Sequence, residues 1–372
     1  MPSHDVLLVT DLRRSWIATS PEVRTAIQAV TTGGWYIHGA EHAAFESELA
    51  AFLGVRHAAG VASGTDALVL AMLAVGCGTG SEIVTVANAG GYSSCAAAQI
   101  GARVVYADIE PTSLLMTPEG LARVLGPDTR AVVVTHLYGN IADVERIVEM
   151  CHPRGIKVIE DCAQAIGGTH HGRRAGSFGD VATFSFYPTK NLGAAGDGGA
   201  VATNDAEIDA RARSLRQYGW SSRYRVGEGL GRNSRLDELQ AAVLRIGLRH
   251  LDALNERRRE VVGHYRRAVD GTDVQLVTGA GCDTVAHLAV VRVSDRARLR
   301  ARFEADQVRT DVHYPIPDHL QEGLAAPVRR TDVAETEHSA GEIVTLPCFP
   351  EMTDDEIQRV CALLAPPRTR IA

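Results

Sequence analysis

Of the 38 lysine and arginine residues in this chain, two are lysines, Lys157 and Lys190. Arginine stays protonated and is a poor nucleophile. Lysine can shed its proton when desolvated and then bond covalently to an aldehyde. A chain that uses arginine nearly everywhere keeps lysine where an amine is required, or carries one by chance on its surface, where most lysines sit. Lys190 stands in "FSFYPTKNLGAAGDGG", a glycine-rich polar stretch behind an apolar run.

Other groups of matching chemistry stand at the ends of apolar runs. "SGTDAL" puts Gly64 and Thr65 at a strand-to-helix turn, where free N–H groups favour a phosphate. The same pattern is also an ordinary helix cap. "VIEDCAQ" ends an apolar run on Asp161, with Gln164 in the next turn. A buried carboxylate there needs a cationic or hydrogen-bonding partner, unless it caps a helix. Ser185 precedes Lys190 in "TFSFYPTK". A phosphate seat, an acid and a lone lysine together describe a site for pyridoxal 5'-phosphate. The acid would keep the pyridine nitrogen protonated, and the ring would then draw electrons from a bonded amine. No G-x-G-x-x-G follows the first apolar run, so a dinucleotide dehydrogenase is disfavoured; "GAAGDGG" after the lysine reads as a close-approach loop.

These residues must be positioned by a scaffold. Short β-branched runs at 57–63, 82–87, 103–109, 131–139, 157–164, 181–187 and 198–204 alternate with helical patterns. That rhythm predicts an α/β fold, a mostly parallel central sheet with helices on both faces. Ligands in such sheets bind at the C-terminal strand ends. From about 233 to 268 the pattern is one long helix or two joined ones, with the basic "RRREVVGHYRR" as a solvated face. Beyond 270 the rhythm becomes that of a smaller α+β unit, and 320–340 is the least patterned stretch. We expect a large domain over 1–245 and a small C-terminal domain over 246–372.

The net charge of −7 gives no electrostatic case for nucleic acid or a membrane surface. No stretch reaches membrane-spanning length, and a cytoplasmic protein is expected. Seven scattered cysteines without C-x-x-C spacing read as reduced thiols. The histidines, including His170–His171 and the pair His313 and His319, lack a typical metal-ligand setting, so no metal is expected.

The motifs "GGWYIHGAEHAAFESELAAFLG", "ASGTDAL", "IEDCAQAIG", "GSFGDVATFSFYPTKNLGAAGDGGAVATND", "GRNSRLDELQAAVL", "HYPIPDHLQ" and "LPCFPEMTDDEI" follow one another along nearly the whole chain. In that order the chain resembles the DegT/StrS sugar aminotransferases, pyridoxal-phosphate enzymes of fold type I. The resemblance implies that Lys190 holds the cofactor and shuttles a proton. It implies that Asp161 pairs with the ring nitrogen and that Gln164 sits near the ring hydroxyl. Gly64, Thr65 and Ser185 would bind the phosphate, and Tyr92 would stack on the ring. The family more often has Asn-Thr-aromatic there, where this chain has Ala89-Gly90-Gly91 before the tyrosine. Asn233 would reach the phosphate of a neighbouring subunit, implying a homodimer with shared active sites. Tyr187, His313, Tyr314 and His319 are substrate-side candidates; the histidines are as compatible with buried structural roles.

The implied reaction moves an amine from an amino acid, L-glutamate, to a keto group of a dTDP-linked deoxysugar in amino-sugar or antibiotic biosynthesis. A sister branch carries histidine in place of this lysine and dehydrates sugars. Lys190 therefore favours amine transfer. A ketocyclitol aminotransferase and a non-catalytic pyridoxal-phosphate-binding regulator are the alternatives.

Overall fold

The computed structural model describes residues 6–279, 281, 283–324 and 331–365. The β-branched runs form strands β1 (His57–Val61), β2 (Glu82–Val86), β3 (Arg103–Ala107), β4 (Thr129–Thr135) and β5 (Lys157–Asp161). A short hairpin follows, β6 (Thr169–His170) and β7 (Arg173–Arg174), then β8 (Val181–Ser185) and β9 (Gly199–Thr203). Seven of these make one sheet in the order β1-β9-β8-β5-β4-β2-β3. Neighbours from β3 to β8 pair in parallel, whereas β9 runs antiparallel to both β8 and β1. The sheet is thus mostly parallel, with β9 reversed.

Strand alternation sends successive side chains to opposite faces. Ala131 and Val133 join Ile83 and Ile159 on one face; Val132 and Val134 join Val84 and Val158 on the other. Helices Gly64–Ala74, Tyr92–Gln99 and Ala206–Leu215 cover the first face. Helices Ala40–Leu53 and Val144–Cys151 and the start of Glu238–Val269 cover the second. With both faces buried, the strands read as near-continuous apolar runs.

Two helix starts are capped from a distance. Gly39, ahead of helix Ala40–Leu53, offers no side chain, and the Glu238 carboxylate accepts from the N–H groups of Gly39, Glu41 and His42 at 2.8–2.9 Å. This clamps the long helix to the one beside it. Helix Ala334–Glu342 lies in the stretch read from sequence as unpatterned. Its cap is Asp108, just beyond β3, which accepts from the N–H groups of Glu335 and Thr336 at 2.9 Å.

A largely exposed hairpin, β10 (Trp220–Ser222) and β11 (Arg225–Val226), precedes the long helix. Glu238–Val269 is one continuous helix of 32 residues, so position 245 falls inside it. Its last turns place Val261, Val262 and Tyr265 against an antiparallel sheet of β12 (Gln275–Leu276), β13 (Ala289–Arg292) and β14 (Ile343–Leu346). Helices Arg296–Ala305 and Asp354–Leu364 complete that core. Leu7 joins it too, bridging to Val308, so the first described residues pack on the C-terminal unit. No helix among the described residues is long and apolar enough to cross a membrane.

Candidate active site

A cavity of about 610 Å³ opens at the C-terminal ends of the parallel strands. Gly64 and Thr65 reach it from beyond β1, Asp161 from the end of β5, and Ser185 from the end of β8. The Ser63 hydroxyl caps helix Gly64–Ala74 by accepting from the Asp66 N–H at 3.1 Å. The N–H groups of Gly64 and Thr65, in the first turn, have no intrahelical acceptor and stand at the cavity wall. Two glycines make the seat this tight. A Cβ on Gly64 would lie 2.6 Å from the Ser185 Cβ, and one on Gly199 would lie 2.4 Å from the Ser63 carbonyl oxygen. The result is a helix N-terminus with two hydroxyls beside it, a cradle suited to a phosphate.

Lys190 follows a tight turn closed by its own N–H, which donates to the Tyr187 carbonyl at 2.8 Å. It lines the same cavity as Asp161. Burial lowers the amine to about 8, with Asp161 pulling the other way. Burial likewise raises the Asp161 carboxyl, opposed by the Ala163 N–H at 3.1 Å and by Lys190. Each feels the other's charge, yet among the described residues neither makes an ion pair. A buried acid and a half-buried amine facing one cavity without an ion pair fit a molecule lying between them.

The facing wall comes from beyond β2 and from the loop after residue 312. Tyr92 starts helix Tyr92–Gln99, and its ring meets that of Tyr314 edge-on at 6.1 Å. Gln164 lies behind Tyr314. Its carbonyl oxygen accepts from the Tyr138 N–H at 2.8 Å, and its amide nitrogen donates to the Tyr314 hydroxyl at 3.2 Å. The Tyr138 hydroxyl donates to the His313 carbonyl at 2.5 Å. His313 and Tyr187 complete this side of the cavity. His319 stands elsewhere, beside Tyr106 and 2.9 Å from a Glu337 carboxylate oxygen. Asn233 also stands apart, lining a neighbouring cavity of about 320 Å³ that shares Asp197 with the first.

Sequence reasoning missed His287, which is buried at the cavity wall. Its Nδ1 lies 2.9 Å from the Asn191 carbonyl oxygen. The Asn191 amide nitrogen donates to Asn255 at 2.7 Å and to the Val285 carbonyl at 2.9 Å, so the amide orientation is fixed. His287 therefore carries its proton on Nδ1, and burial, reinforced by Lys190, keeps the ring neutral. Asn191 is the neighbour of the lysine, so this network also pins the turn that aims Lys190. The contact joins residues 96 positions apart, beyond any local pattern. Among the described residues, two clusters have ligand-like spacing, His136–Glu160–Cys162 and Glu145–His170–His171. In the first, Glu160 is already engaged by His136 and by the N–H groups of Gly176, Phe178 and Gly179.

The DegT/DnrJ/EryC1/StrS aminotransferase family profile matches residues 18–365. The UDP-N-acetyl-3-dehydro-alpha-D-glucosamine 3-aminotransferase of Acidithiobacillus ferrooxidans is 37% identical, the match covering 98% of each chain. The dTDP-3-amino-3,4,6-trideoxy-alpha-D-glucose transaminase of Streptomyces venezuelae is 39% identical over 94% of this chain and 93% of that one. The crystal structure of DesV from S. venezuelae superposes with a TM-score of 0.92 at 38% identity, over 97% of each chain.

Proposed function

The chain belongs to the DegT/DnrJ/EryC1/StrS family of pyridoxal-phosphate-dependent aminotransferases, and from that premise we propose that it moves an amine from L-glutamate to the 3-keto group of a dTDP-linked deoxysugar. The observation that carries the reading is the cavity in which Lys190 and Asp161 face one interior without pairing, beside a helix N-terminus built for phosphate. The 3-position and the nucleotide carrier come from the relatives, whose names specify 3-amino products on UDP- and dTDP-sugars.

In this reading Gly64, Thr65 and Ser185 take the cofactor phosphate, Asp161 holds the proton on the ring nitrogen, and Tyr92 covers the ring. Gln164 approaches the ring hydroxyl from behind Tyr314. When bound, the cofactor supplies an electron-withdrawing ring that makes the donor's Cα–H acidic. Lys190 would be the base that takes that proton on Nζ and the acid that gives one back. With its amine near 8, about a tenth of Lys190 is neutral at pH 7. That fraction is larger than for a lysine of ordinary pKa near 10.5. Tyr187, His313 and Tyr314 face the acceptor side, whereas His319 lies outside the cavity. The large unit supplies Gly64, Thr65, Asp161, Ser185 and Lys190 to the site, and the C-terminal part of the chain supplies His287, His313 and Tyr314. A cytoplasmic setting and a role in antibiotic sugar assembly belong to the same proposal.

L-Glutamate added to the cofactor-loaded protein should bleach its yellow absorbance, and a dTDP-linked 3-keto deoxysugar should restore it. A 4-keto isomer should restore it poorly. Bleaching without recovery by either sugar would overturn the acceptor assignment.

We also propose a homodimer in which Asn233 completes the partner's phosphate seat, since within one subunit it stands outside the Lys190 cavity. Mixing Lys190→Ala with Asn233→Ala subunits should restore part of the activity that each lacks alone, because one of the two sites would then be intact. No recovery in isolated heterodimers would count against a shared site.

A further inference from the structure

Gly90 stands two residues before Tyr92 on the facing wall of the cavity, and the structure gives its absence of Cβ a specific use. Gly90 has φ +79°, and a Cβ there would lie 2.9 Å from two ring carbons of Tyr314 and 3.0 Å from a third. The ring has no slack to yield. Its hydroxyl is held by Gln164, whose own carbonyl is held by Tyr138. The preceding carbonyl, that of His313, is held by the Tyr138 hydroxyl. The loop beyond is anchored to the Gly90 segment itself: the Asp318 N–H donates to the Ala87 carbonyl at 2.7 Å, and the Ser94 hydroxyl donates to the Asp318 carboxylate at 2.6 Å. Neither ring nor loop can back away without breaking one of these bonds.

We infer that Gly90 is a specificity-determining position, which acts by admitting the Tyr314 ring as a fixed wall of the acceptor side of the cavity. Gln164 donates to the Tyr314 oxygen, so the phenol's own proton is left for the neighbouring Tyr92 hydroxyl or for an oxygen of a bound sugar. Burial raises the phenol's pKa, so it stays protonated, a donor at working pH. Any side chain at 90 would expel the ring and reshape the acceptor half of the pocket. The inference rests on the keto-sugar reading above.

Gly91 provides the control. It has φ +82°, so alanine there carries the same backbone penalty, but its Cβ would meet nothing nearer than Leu324 at 3.9 Å. Gly90→Ala should raise the KM for the dTDP-linked 3-keto sugar about tenfold or more while kcat changes less than about threefold, the pattern of lost binding. It should also lower Tm further than Gly91→Ala does. In a Tyr314→Ala background that difference in Tm should vanish. Tyr314→Phe, which keeps the ring but not the hydroxyl held by Gln164, should still raise the acceptor KM. Equal effects of Gly90→Ala and Gly91→Ala in both backgrounds would overturn the inference. If wild type turns over no keto sugar, the proposed acceptor has failed, while the melting comparison still decides whether Gly90 seats Tyr314.

Discussion

Lys190→Ala should abolish amine transfer, by about four orders of magnitude or more, as when a residue that both bonds to the cofactor and moves a proton is lost. The reasons are on both sides of the reaction. The amine is brought to about 8 by burial, so it is available as a nucleophile and base near neutral pH. Among the described residues no second amine lines this cavity; the other lysine, Lys157, pairs with Asp180 at 2.8 Å at the far end of β5. His287 is neutral and could accept a proton, but it cannot bond to the cofactor as an amine does. The variant should bind added pyridoxal phosphate without the yellow band of the lysine-bound form. Lys190→Arg should be equally inactive, because arginine keeps its charge and is no nucleophile. A yellow band in either variant would remove Lys190 from its assigned role.

Much of the site was legible because its groups sit at sequence-local landmarks. Asp161 ends an apolar run, Gly64 and Thr65 follow a strand, and Lys190 is one of two lysines, so composition and periodicity sufficed to nominate them. The strands were legible for the same reason: burial on both faces leaves a continuous apolar signature. What escaped was everything held by contacts distant in sequence. Helix Ala334–Glu342 has no capping side chain at its N-cap residue, Val333; the N–H groups of Glu335 and Thr336 go to Asp108, 227 residues away from Glu335. His287 enters the cavity through Asn191, which no spacing rule connects to it. His319 looked equivalent to His313 in "HYPIPDHLQ", but the turn at Asp318–Leu320 carries it toward Glu337 and away from the cavity. The reversal of β9 was also hidden, since side-chain alternation is the same in either direction.

Asp161→Asn should move activity and stability in opposite directions. Asp161 is 5% exposed, and burial raises its carboxyl above the ordinary value of 3.8 because no cation neutralises it within ion-pair distance. For an acid raised in the folded state, the sign is definite. The stability it contributes is full below pH 3.8 and is lost as pH climbs through the raised folded value. At pH 7, above the ordinary carboxyl value, keeping Asp161 buried therefore costs the cofactor-free protein stability. Asparagine has nearly the same shape and can still accept from the Ala163 N–H through its carbonyl oxygen, but it carries no charge. The cofactor-free Asp161→Asn protein should melt higher than wild type at pH 7, and the difference should shrink toward pH 4. Activity should fall about 10²- to 10⁴-fold, because a neutral amide no longer holds the ring nitrogen protonated. Pyridoxal phosphate should then raise the Tm of wild type more than that of the variant, since only the carboxylate gains a cationic partner on binding. A variant that melts lower without cofactor, at every pH, would mean that Asp161 serves the fold and not the reaction. The strain of an uncompensated carboxylate is tolerable in this chain because β5 and its neighbours are buried in apolar contacts on both faces, which hold Asp161 where a less rigid strand would let it turn to water.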